Sequence, residues 1–419
     1  MLEALPAASL TRLILAHTED DWSYETHSDT PWAVHRPRVA AAIARLNSLQ
    51  ELELYERSSL SDSQTTAVPA GIDCYAYGGL NDASLAAISR LSSLTQLRLE
   101  STAPGTDVTL LPAQLLQLTL SAGCRSEHRR SSELLLSLLH LTHLQQLDLT
   151  VSGRPGAGLS RPGQLTSLAV CARGDEAGTD VQHLGISALQ QLQELELTDA
   201  LFQAEQLQQL TCLTKLQQLS LMYTSAAKAR SAAPAWRQLS CLHSLEIRDC
   251  RAELSMEEGQ QLLAAVGAAT SLVELDLSAD GSLLDEETDI CSYFTGLQRL
   301  TCLCLDSING PHEKTDTPQL TKLTRLAELR IRGAWGIDDA AATAIARSLT
   351  QLTALQLQDC LITNRAVLQA IARLPLLEWL DLSGNAEALD DGSCLQDEDI
   401  EVLLPLPNLM YFEAAGTFW

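Results

Sequence analysis

Two groups of residues in this 419-residue sequence could do chemistry, and the first is a pair of cysteines. Cys302 and Cys304 lie two residues apart in an alternating apolar segment, so both thiols would point to the same side of a strand. Such a pair could bind a soft metal ion or act as a redox couple, but no histidine or further cysteine pair supplies the missing ligands. We favour the interpretation that both are small strand residues on an open face, beside Glu274, Asp276 and Glu328. A metal- or redox-dependent protein stays an alternative.

Histidines and acids crowd the segment 17–38 and form the second group, which consists of His17, Glu19, Asp20, Asp21, His27, Asp29 and His35. They could bind a divalent ion, but their spacing matches no ligand pattern, and a solvated acidic loop is the favoured interpretation. The sequence contains no GxSxG, HExxH or P-loop motif, and no GxGxxG before a helix. We therefore expect a protein that is not an enzyme and has no cofactor and no metal site.

Acidic residues outnumber basic ones by 53 to 28, which gives a formal net charge of −25. Such a surface would repel phosphates, which argues against direct binding to nucleic acid or to an anionic membrane and leaves a basic protein open as partner. The eleven cysteines are odd in number and include no CxxC pair, so they are not a disulfide framework. The chain begins without a signal-peptide pattern, and no apolar run approaches about 18 residues. We expect a reducing, intracellular location in the cytoplasm and no membrane span.

The pattern L-x-x-L-x-L recurs at fifteen places from Leu10 to Leu409, for example as LQELEL from Leu49 and LVELDL from Leu272. The twelve intervals between Leu94 and Leu409 average about 26 residues, which is a repeat period. Within each copy, apolar and polar residues alternate, which predicts a strand with one buried face. A unit of this size cannot bury its apolar residues alone, so neighbouring units must stack.

Many of the intervals carry an amphipathic, often Ala-rich pattern that predicts a helix, and the clearest are 81–91, 256–266, 337–349 and 363–374. Asp82 and Thr363 are the expected N-caps of two of these helices. Ser255 and Glu258 have the spacing of a capping box. The intervals therefore predict helices that line the face of the molecule opposite the strands.

The fifteen copies resemble leucine-rich repeat proteins over almost the whole chain. The segment from Leu352, LTALQLQDCLITNRAVLQAIARLPLLEWLDL, is similar to the cysteine-containing subtype, with Cys360 three residues after the last strand leucine. Cys250 and Asn385 occupy the same place in other repeats, and the resemblance implies that such side chains bond to backbone groups in the turn. Most repeats carry other residues there, so we expect less uniform turns.

The subtype often carries an F-box in ubiquitin-ligase receptors. No F-box-like segment precedes the first repeat here, and a ubiquitin-ligase substrate receptor stays an alternative.

The resemblance predicts an α/β fold, a right-handed leucine-rich repeat solenoid shaped like a horseshoe with about fifteen repeats. The parallel sheet would form the concave face and the helices the convex face. We expect one solenoid over residues 1–419, with longer insertions at about 17–38 and 56–80. The insertion at 17–38 is a second candidate binding site, because Trp22, Tyr24 and Trp32 lie there among acids.

Positions three, five and seven of each copy would point to the open face. Thirteen of these positions hold acids, namely Glu51, Glu53, Glu100, Asp148, Glu194, Glu196, Glu246, Glu274, Asp276, Asp306, Glu328, Asp381 and Glu413. Five hold bases, namely Arg12, Arg98, Arg248, Arg330 and Arg332. This excess of acids predicts a basic protein partner on the concave face. Alternatively, an acidic protein simply fills exposed strand positions with acids.

Aromatic and arginine side chains are the usual anchors of protein interfaces. Trp379 and Tyr411 lie at open-face positions of neighbouring repeats, with Arg330, Arg332 and Trp335 earlier in the chain. Trp379 and Tyr411 could instead cap the last repeat. The predicted partner-binding residues are Glu194, Glu196, Glu246, Glu274, Asp276, Glu328, Arg330, Arg332, Trp335, Trp379 and Tyr411. The sequence thus predicts a non-enzymatic interaction scaffold, a subunit of an intracellular assembly.

Overall fold

The computed structural model describes residues 9–18, 41–57, 82–99, 108–121, 138–152, 163–173, 186–198, 209–222, 236, 238–251, 256–280, 290–306, 317–333, 337–360, 362–385, 401–414 and 417–418. They belong to two compact units, unit 1 with Met1–Leu201 and unit 2 with Phe202–Trp419. Most of both predicted insertions, 17–38 and 56–80, lies outside the described residues. A single solenoid over residues 1–419 stays a prediction.

Unit 1 contributes seven strands, each parallel to the next in chain order. They are β1 (Arg12–Thr18), β2 (Glu51–Arg57), β3 (Gln96–Leu99), β4 (Gln117–Ser121), β5 (Gln146–Ser152), β6 (Ser167–Arg173) and β7 (Glu194–Thr198). Their leucines align across the sheet, since Leu97 pairs with Leu52 on one side and with Leu118 on the other. The phase of the sequence repeat is therefore the register of the strands.

Unit 2 contributes nine strands, namely β8 (Gln218–Met222), β9 (Ser244–Arg251), β10 (Glu274–Asp280), β11 (Cys302–Asp306), β12 (Glu328–Arg332), β13 (Ala354–Gln358), β14 (Trp379–Asp381), β15 (Tyr411–Ala414) and β16 (Thr417–Phe418). Strands β8 to β15 are parallel neighbours in chain order. The short β16 runs antiparallel to β15. The last strand thus lies against the edge that β15 would otherwise expose.

Alternation in the sequence becomes alternation in burial, as β12 shows. Leu329 and Ile331 are 0% and 2% exposed, whereas Arg330 and Arg332 between and after them are exposed. The backbone continues the ladder just before each strand, where the Ala327 amide donates to the Thr301 carbonyl at 2.8 Å. Buried leucines at the same place in consecutive repeats then form one continuous aliphatic core within each unit.

Among the described residues, six α-helices have bounds at both ends, and residues 41–43 belong to a further helical segment. The six helices are α1 (Asp82–Ile88), α2 (Met256–Gly267), α3 (Ile290–Phe294), α4 (Thr317–Leu320), α5 (Asp339–Ser348) and α6 (Arg365–Ile371). Single 3-10 turns occur at Val108–Leu110, Leu138–His140, Ile186–Ala188, Gln209–Cys212 and Glu401–Leu403. In unit 2, consecutive helices from α2 to α6 contact each other and form a second layer. The four predicted helices are confirmed.

The N-cap of helix α6 differs from the prediction. Asn364, and not Thr363, caps this helix, with its side-chain oxygen accepting from the Ala366 amide at 2.8 Å. Thr363 instead donates its amide and its hydroxyl to the carboxylate of Asp339 on the preceding helix α5. Asp338 caps helix α5, where its carboxylate accepts from the third residue of that helix. The Thr363 prediction is wrong because a neighbouring repeat competes for its hydroxyl.

Buried polar side chains tie the turn after β14. The amide nitrogen of Asn385 donates to the carbonyls of Leu357 and Leu382 at 2.7 and 2.8 Å, and its oxygen accepts from the Ile362 amide at 3.2 Å. The buried Cys360 thiol donates to a strand carbonyl at 3.3 Å. Both contacts have the form that the resemblance implies for these positions. Membership of the cysteine-containing subtype stays a prediction.

Each unit is therefore a leucine-rich repeat solenoid, in which parallel strands follow one another in chain order and do not close into a barrel. The predicted α/β solenoid with a parallel sheet is confirmed, with fewer helices than strands. Among the described residues, no helix has both the length and the apolar character needed to cross a membrane.

Candidate functional site

Outward-facing side chains of unit 2 form rows across the strands because the strands are in register. The first row contains Ser244, Glu274, Cys302, Glu328, Ala354, Trp379 and Tyr411. The second row contains Glu246, Asp276, Cys304, Arg330, Gln356, Asp381 and Glu413. A third, shorter row contains Ser278, Asp306, Arg332 and Gln358. These side chains, with Arg248 at the end of β9, are called the open face of unit 2.

Ion pairs join acids and bases within this open face. Arg248 contacts Glu246 on its own strand and Asp276 on β10, each at 2.6 Å. The hydrogen bond to Asp276 raises the pKa of Arg248 above its usual value. On β12, Arg330 pairs with Glu328. Four predicted binding residues are therefore already in ion pairs. Arg330 pairs with Glu328, whereas Glu246 and Asp276 pair with Arg248, which was not among the predicted binding residues.

A shallow groove of about 290 Å³ crosses the third row. Its lining residues are Arg248, Asp276, Ser278, Cys304, Leu305, Asp306, Arg330, Ile331, Arg332, Gln356 and Gln358. Arg332 lies in this groove with a single described ion pair, a 3.6 Å contact to Asp359. A separation of 3.6 Å is too long for a hydrogen bond, so this guanidinium retains donors for a partner.

The cysteine pair lies on β11 as the alternation predicts. Cys302 pairs in register with Glu274 and Glu328, and Cys304 with Asp276 and Arg330. Burial, followed by the negative charge of Glu328, raises the pKa of Cys302 to about 12. Burial and Asp276 raise the pKa of Cys304 to about 12. Since the thiolate is the nucleophile, this environment keeps both thiols protonated and weakly reactive at neutral pH.

In the part of the chain that the structure describes, no group of three or more histidine, cysteine or acidic residues could hold a metal ion. The histidines and acids of the segment 17–38 lie outside that part, apart from the backbone of His17 at the end of β1. A divalent site in this segment stays a prediction. Trp22, Tyr24 and Trp32, the alternative aromatic anchors, lie in the same segment.

Asp381 departs from the predicted open face. It is only 3% exposed, although alternation along β14 turns it outward. Gln356 and Gln358 on β13 donate their side-chain amides to its Oδ2 at 3.2 and 2.6 Å. Ser383 donates both its amide and its hydroxyl to Oδ1, at 2.9 and 2.7 Å. Its neighbours thus cover this acid, and the expectation of an exposed carboxylate is wrong.

Trp379 and Tyr411 form an aromatic pair at the β14–β15 end of the first row. Their rings stack with centroids 3.8 Å apart and an interplanar angle of 19°. Trp379 is nonetheless 45% exposed. The Tyr411 hydroxyl donates to Glu413, and this hydrogen bond raises the pKa of Tyr411 to about 12. The pair is therefore a fixed aromatic surface that still faces solvent.

Unit 1 has its own open face. Arg12 on β1 contacts Glu51 at 3.0 Å and Glu53 at 2.9 Å on β2. The hydrogen bond from Arg12 lowers the pKa of Glu53. The predicted binding residues Glu194 and Glu196 are exposed on β7. They are the acids of unit 1 that carry the prediction of a basic partner.

The structure brings Glu246, Glu274, Asp276, Glu328, Arg330, Arg332, Trp379 and Tyr411 together on the open face of unit 2. Trp335 lies outside the described residues. Sequence reasoning missed the linked side chains of Gln356, Gln358 and Ser383. Aligning the copies of the repeat places both glutamines beside Asp381, so the alignment was the signal that could have found them.

Comparison with solved structures found leucine-rich repeat proteins. An internalin of Listeria monocytogenes is 17% identical, with 99% of this chain and 88% of that chain covered and a TM-score of 0.47. A leucine-rich repeat protein of Leptospira interrogans is 16% identical, with 90% and 80% covered and a TM-score of 0.44. The ectodomain of an Arabidopsis thaliana receptor kinase is 13% identical, with 88% and 45% covered and a TM-score of 0.34. No family model and no curated protein matches the sequence.

Proposed function

We propose that this chain is a non-enzymatic scaffold that binds a basic protein partner through the open faces of its repeats. The observation that carries the proposal is the set of outward rows on β9 to β15, where polar and aromatic side chains are held in fixed register. Six strand spacings of about 4.8 Å make this face about 29 Å wide. An extended segment of about nine residues would cross it at about 3.3 Å per residue.

The chemistry of the face supports binding over catalysis. Its acids and arginines pair with each other, which holds long side chains in place before a partner arrives and reduces the ordering cost of binding. Burial raises the pKa of its two thiols to about 12, which keeps them protonated and slow as nucleophiles. A metal- or redox-dependent protein using Cys302 and Cys304 stays a prediction. The predicted residues Glu194, Glu196, Glu246, Glu274, Asp276, Glu328, Arg330, Arg332, Trp379 and Tyr411 are proposed to contact the partner, and Trp335 stays a prediction.

The basic character of the partner is supported by the charge of the chain and by Glu194 and Glu196. The outward positions of β6 beside these two acids hold Ser167, Ala169 and Cys171, and no base. A basic partner would therefore meet carboxylates on β7 that have no base beside them on β6. We further propose a reducing, intracellular location and a place in a larger assembly. The ubiquitin-ligase receptor alternative stays a prediction.

Affinity capture with matched variants tests the scaffold. The tagged chain is incubated with native extract, and captured proteins are quantified by mass spectrometry for wild type, for Glu194→Lys with Glu196→Lys, and for Trp379→Ala with Tyr411→Ala. We expect a basic protein that wild type captures and both double variants lose, with the aromatic variant weaker by about 2 kcal/mol or more. Glu401→Lys reverses an exposed acid on the helical side of unit 2 and should capture the partner normally.

Three outcomes contradict the proposal. The first is that all variants capture the same proteins in the same amounts. The second is that the specific partner has an acidic surface at the contact. The third is that the aromatic variant melts at a lower temperature yet binds normally, which would show that Trp379 and Tyr411 are a cap. Measuring the association rate of a purified partner at several salt concentrations adds a kinetic check, because loss of steering charges slows association and flattens its salt dependence.

A further inference from the structure

The aromatic pair leaves one face of an indole ring open. Trp379 and Tyr411 lie on neighbouring strands, and their 3.8 Å centroid separation is close to the strand spacing of about 4.8 Å. Two rings stacked across that spacing stand upright on the sheet, each with a face toward the other. The second face of Trp379 is then turned toward β13, and the 45% exposure of this residue is in keeping with one covered and one open face.

A small residue lies beside that open face. Ala354 pairs in register with Trp379 on one side and with Glu328 on the other, so a methyl group separates an indole ring from a carboxylate in the first row. Two strand spacings put the backbones of Glu328 and Trp379 about 10 Å apart. We call the space above Ala354, between these two side chains, the row-one slot. It is wide enough for one flat side chain that stacks on the ring and reaches the carboxylate.

The strands around this slot carry a small excess of negative charge. The described outward residues of β12 to β15 include three carboxylates, Glu328, Asp381 and Glu413, and two bases, Arg330 and Arg332. The face of an indole ring attracts cations through its quadrupole. Glu328 is shared with Arg330, whose guanidinium contacts Oε1. The ring, more than this carboxylate, would therefore select the ligand.

We propose that the row-one slot binds an arginine side chain of the partner, stacked on Trp379 above Ala354. A guanidinium is planar, stays charged and loses less hydration than an ammonium, so it fits between a ring and a neighbouring strand better than lysine. This inference rests on the proposed function, because it names the chemistry of the segment that the open face of unit 2 recognises. An arginine within an otherwise extended basic segment would dock at the β14 end of the face.

A titration that needs no partner tests the slot. The chain is labelled with 5-fluorotryptophan, the Trp379 fluorine signal is assigned by its loss in Trp379→Phe, and N-acetylarginine amide is added. We expect a shift of this signal that grows with the concentration of N-acetylarginine amide and is about twofold smaller with the same concentration of N-acetyllysine amide, because an ammonium loses more hydration on stacking. N-acetylcitrulline amide, which has the same shape without the charge, should produce no shift.

Filling the slot provides the matched control. Ala354→Leu places a larger side chain next to the ring and should abolish the arginine-dependent shift, whereas Ser244→Leu in the same row on β9 should leave it unchanged. Ala354→Val repeats the test if the leucine variant does not fold. An equal shift with the lysine or citrulline derivative, or an unchanged shift in a folded Ala354 variant, overturns the slot. Such results leave the scaffold intact, because the capture experiment decides that question separately.

Discussion

Asn385 provides the sharpest test of how the last repeats are held together. This residue is 1% exposed, and its side-chain amide makes three hydrogen bonds to backbone groups of three different segments. Two of the bonded groups, the carbonyl of Leu357 and the amide of Ile362, belong to the preceding repeat. Asn385→Ala would therefore remove a link between repeats, and leave two carbonyls and one amide buried without this partner.

The expected cost follows from those three groups. A buried backbone group that loses its hydrogen bond costs about 1–3 kcal/mol, and water that enters the vacated space lowers this value. We expect a loss of about 3 kcal/mol for Asn385→Ala. The matched control is Asn408→Ala, an exposed asparagine that donates one hydrogen bond to the Pro375 carbonyl at 2.9 Å. Its removal should cost about 0.5 kcal/mol, since water can replace that bond.

Hydrogen exchange followed by mass spectrometry measures the effect locally, which matters because repeat proteins open in segments. At tenfold for each 1.4 kcal/mol, a loss of about 3 kcal/mol speeds exchange by about 100-fold in the affected segment. We expect faster exchange in peptides from α6 and β14, with little change in peptides from unit 1. An Asn385→Ala effect no larger than that of Asn408→Ala, or an increase in exchange spread evenly over both units, would contradict this link between repeats.

Two further predictions concern side chains with unusual surroundings. At pH 8, iodoacetamide should label Cys302 and Cys304 far more slowly than the exposed Cys212, because thiols with a pKa of about 12 are almost entirely protonated. The labelling rate of Cys302 and Cys304 should rise about tenfold per pH unit up to about pH 11. Equal labelling at pH 8, read by peptide mass spectrometry, would contradict their raised pKa. Asp339→Ala removes three hydrogen bonds to the start of α6 and should lower the free energy of unfolding, measured by urea titration, by about 1–2 kcal/mol. An unchanged urea midpoint would show that this carboxylate does not stabilise the helix.

The repeat pattern predicts the sheet well because one physical rule governs every copy. A leucine at a given place must be buried, and stacked repeats bury it best when the copies are in phase. Leu303 therefore pairs with Leu275 and Leu329, and the same alignment correctly places Trp379 beside Tyr411. Helices are equally predictable where an amphipathic segment is long, as in α2 and α5.

Details that depend on competition between side chains were not predictable from one repeat at a time. Alternation places Asp381 outward, but two glutamines on the neighbouring strand and the following serine surround it. Thr363 has the character of an N-cap, but the carboxylate of Asp339 offers its hydroxyl a stronger acceptor. At both positions the hydrogen-bond partner belongs to another repeat or to the following turn, so the local sequence pattern does not reveal it.

Ion pairs between neighbouring strands reduce the acidic excess of the open faces. A count of thirteen acids and five bases suggests a uniformly acidic surface, but Arg12 and Arg248 each bridge two carboxylates. Each cluster of two carboxylates and one guanidinium keeps a net charge of −1 instead of −2, so these ion pairs order the surface and halve, without cancelling, its attraction for a basic partner. Glu194 and Glu196 face Ser167 and Ala169 on β6, so no ion pair on that side reduces their attraction for a basic partner. Long-range attraction would therefore come largely from acids of this kind, whereas the exposed Trp379 and its stacked neighbour Tyr411 would anchor the partner after it arrives.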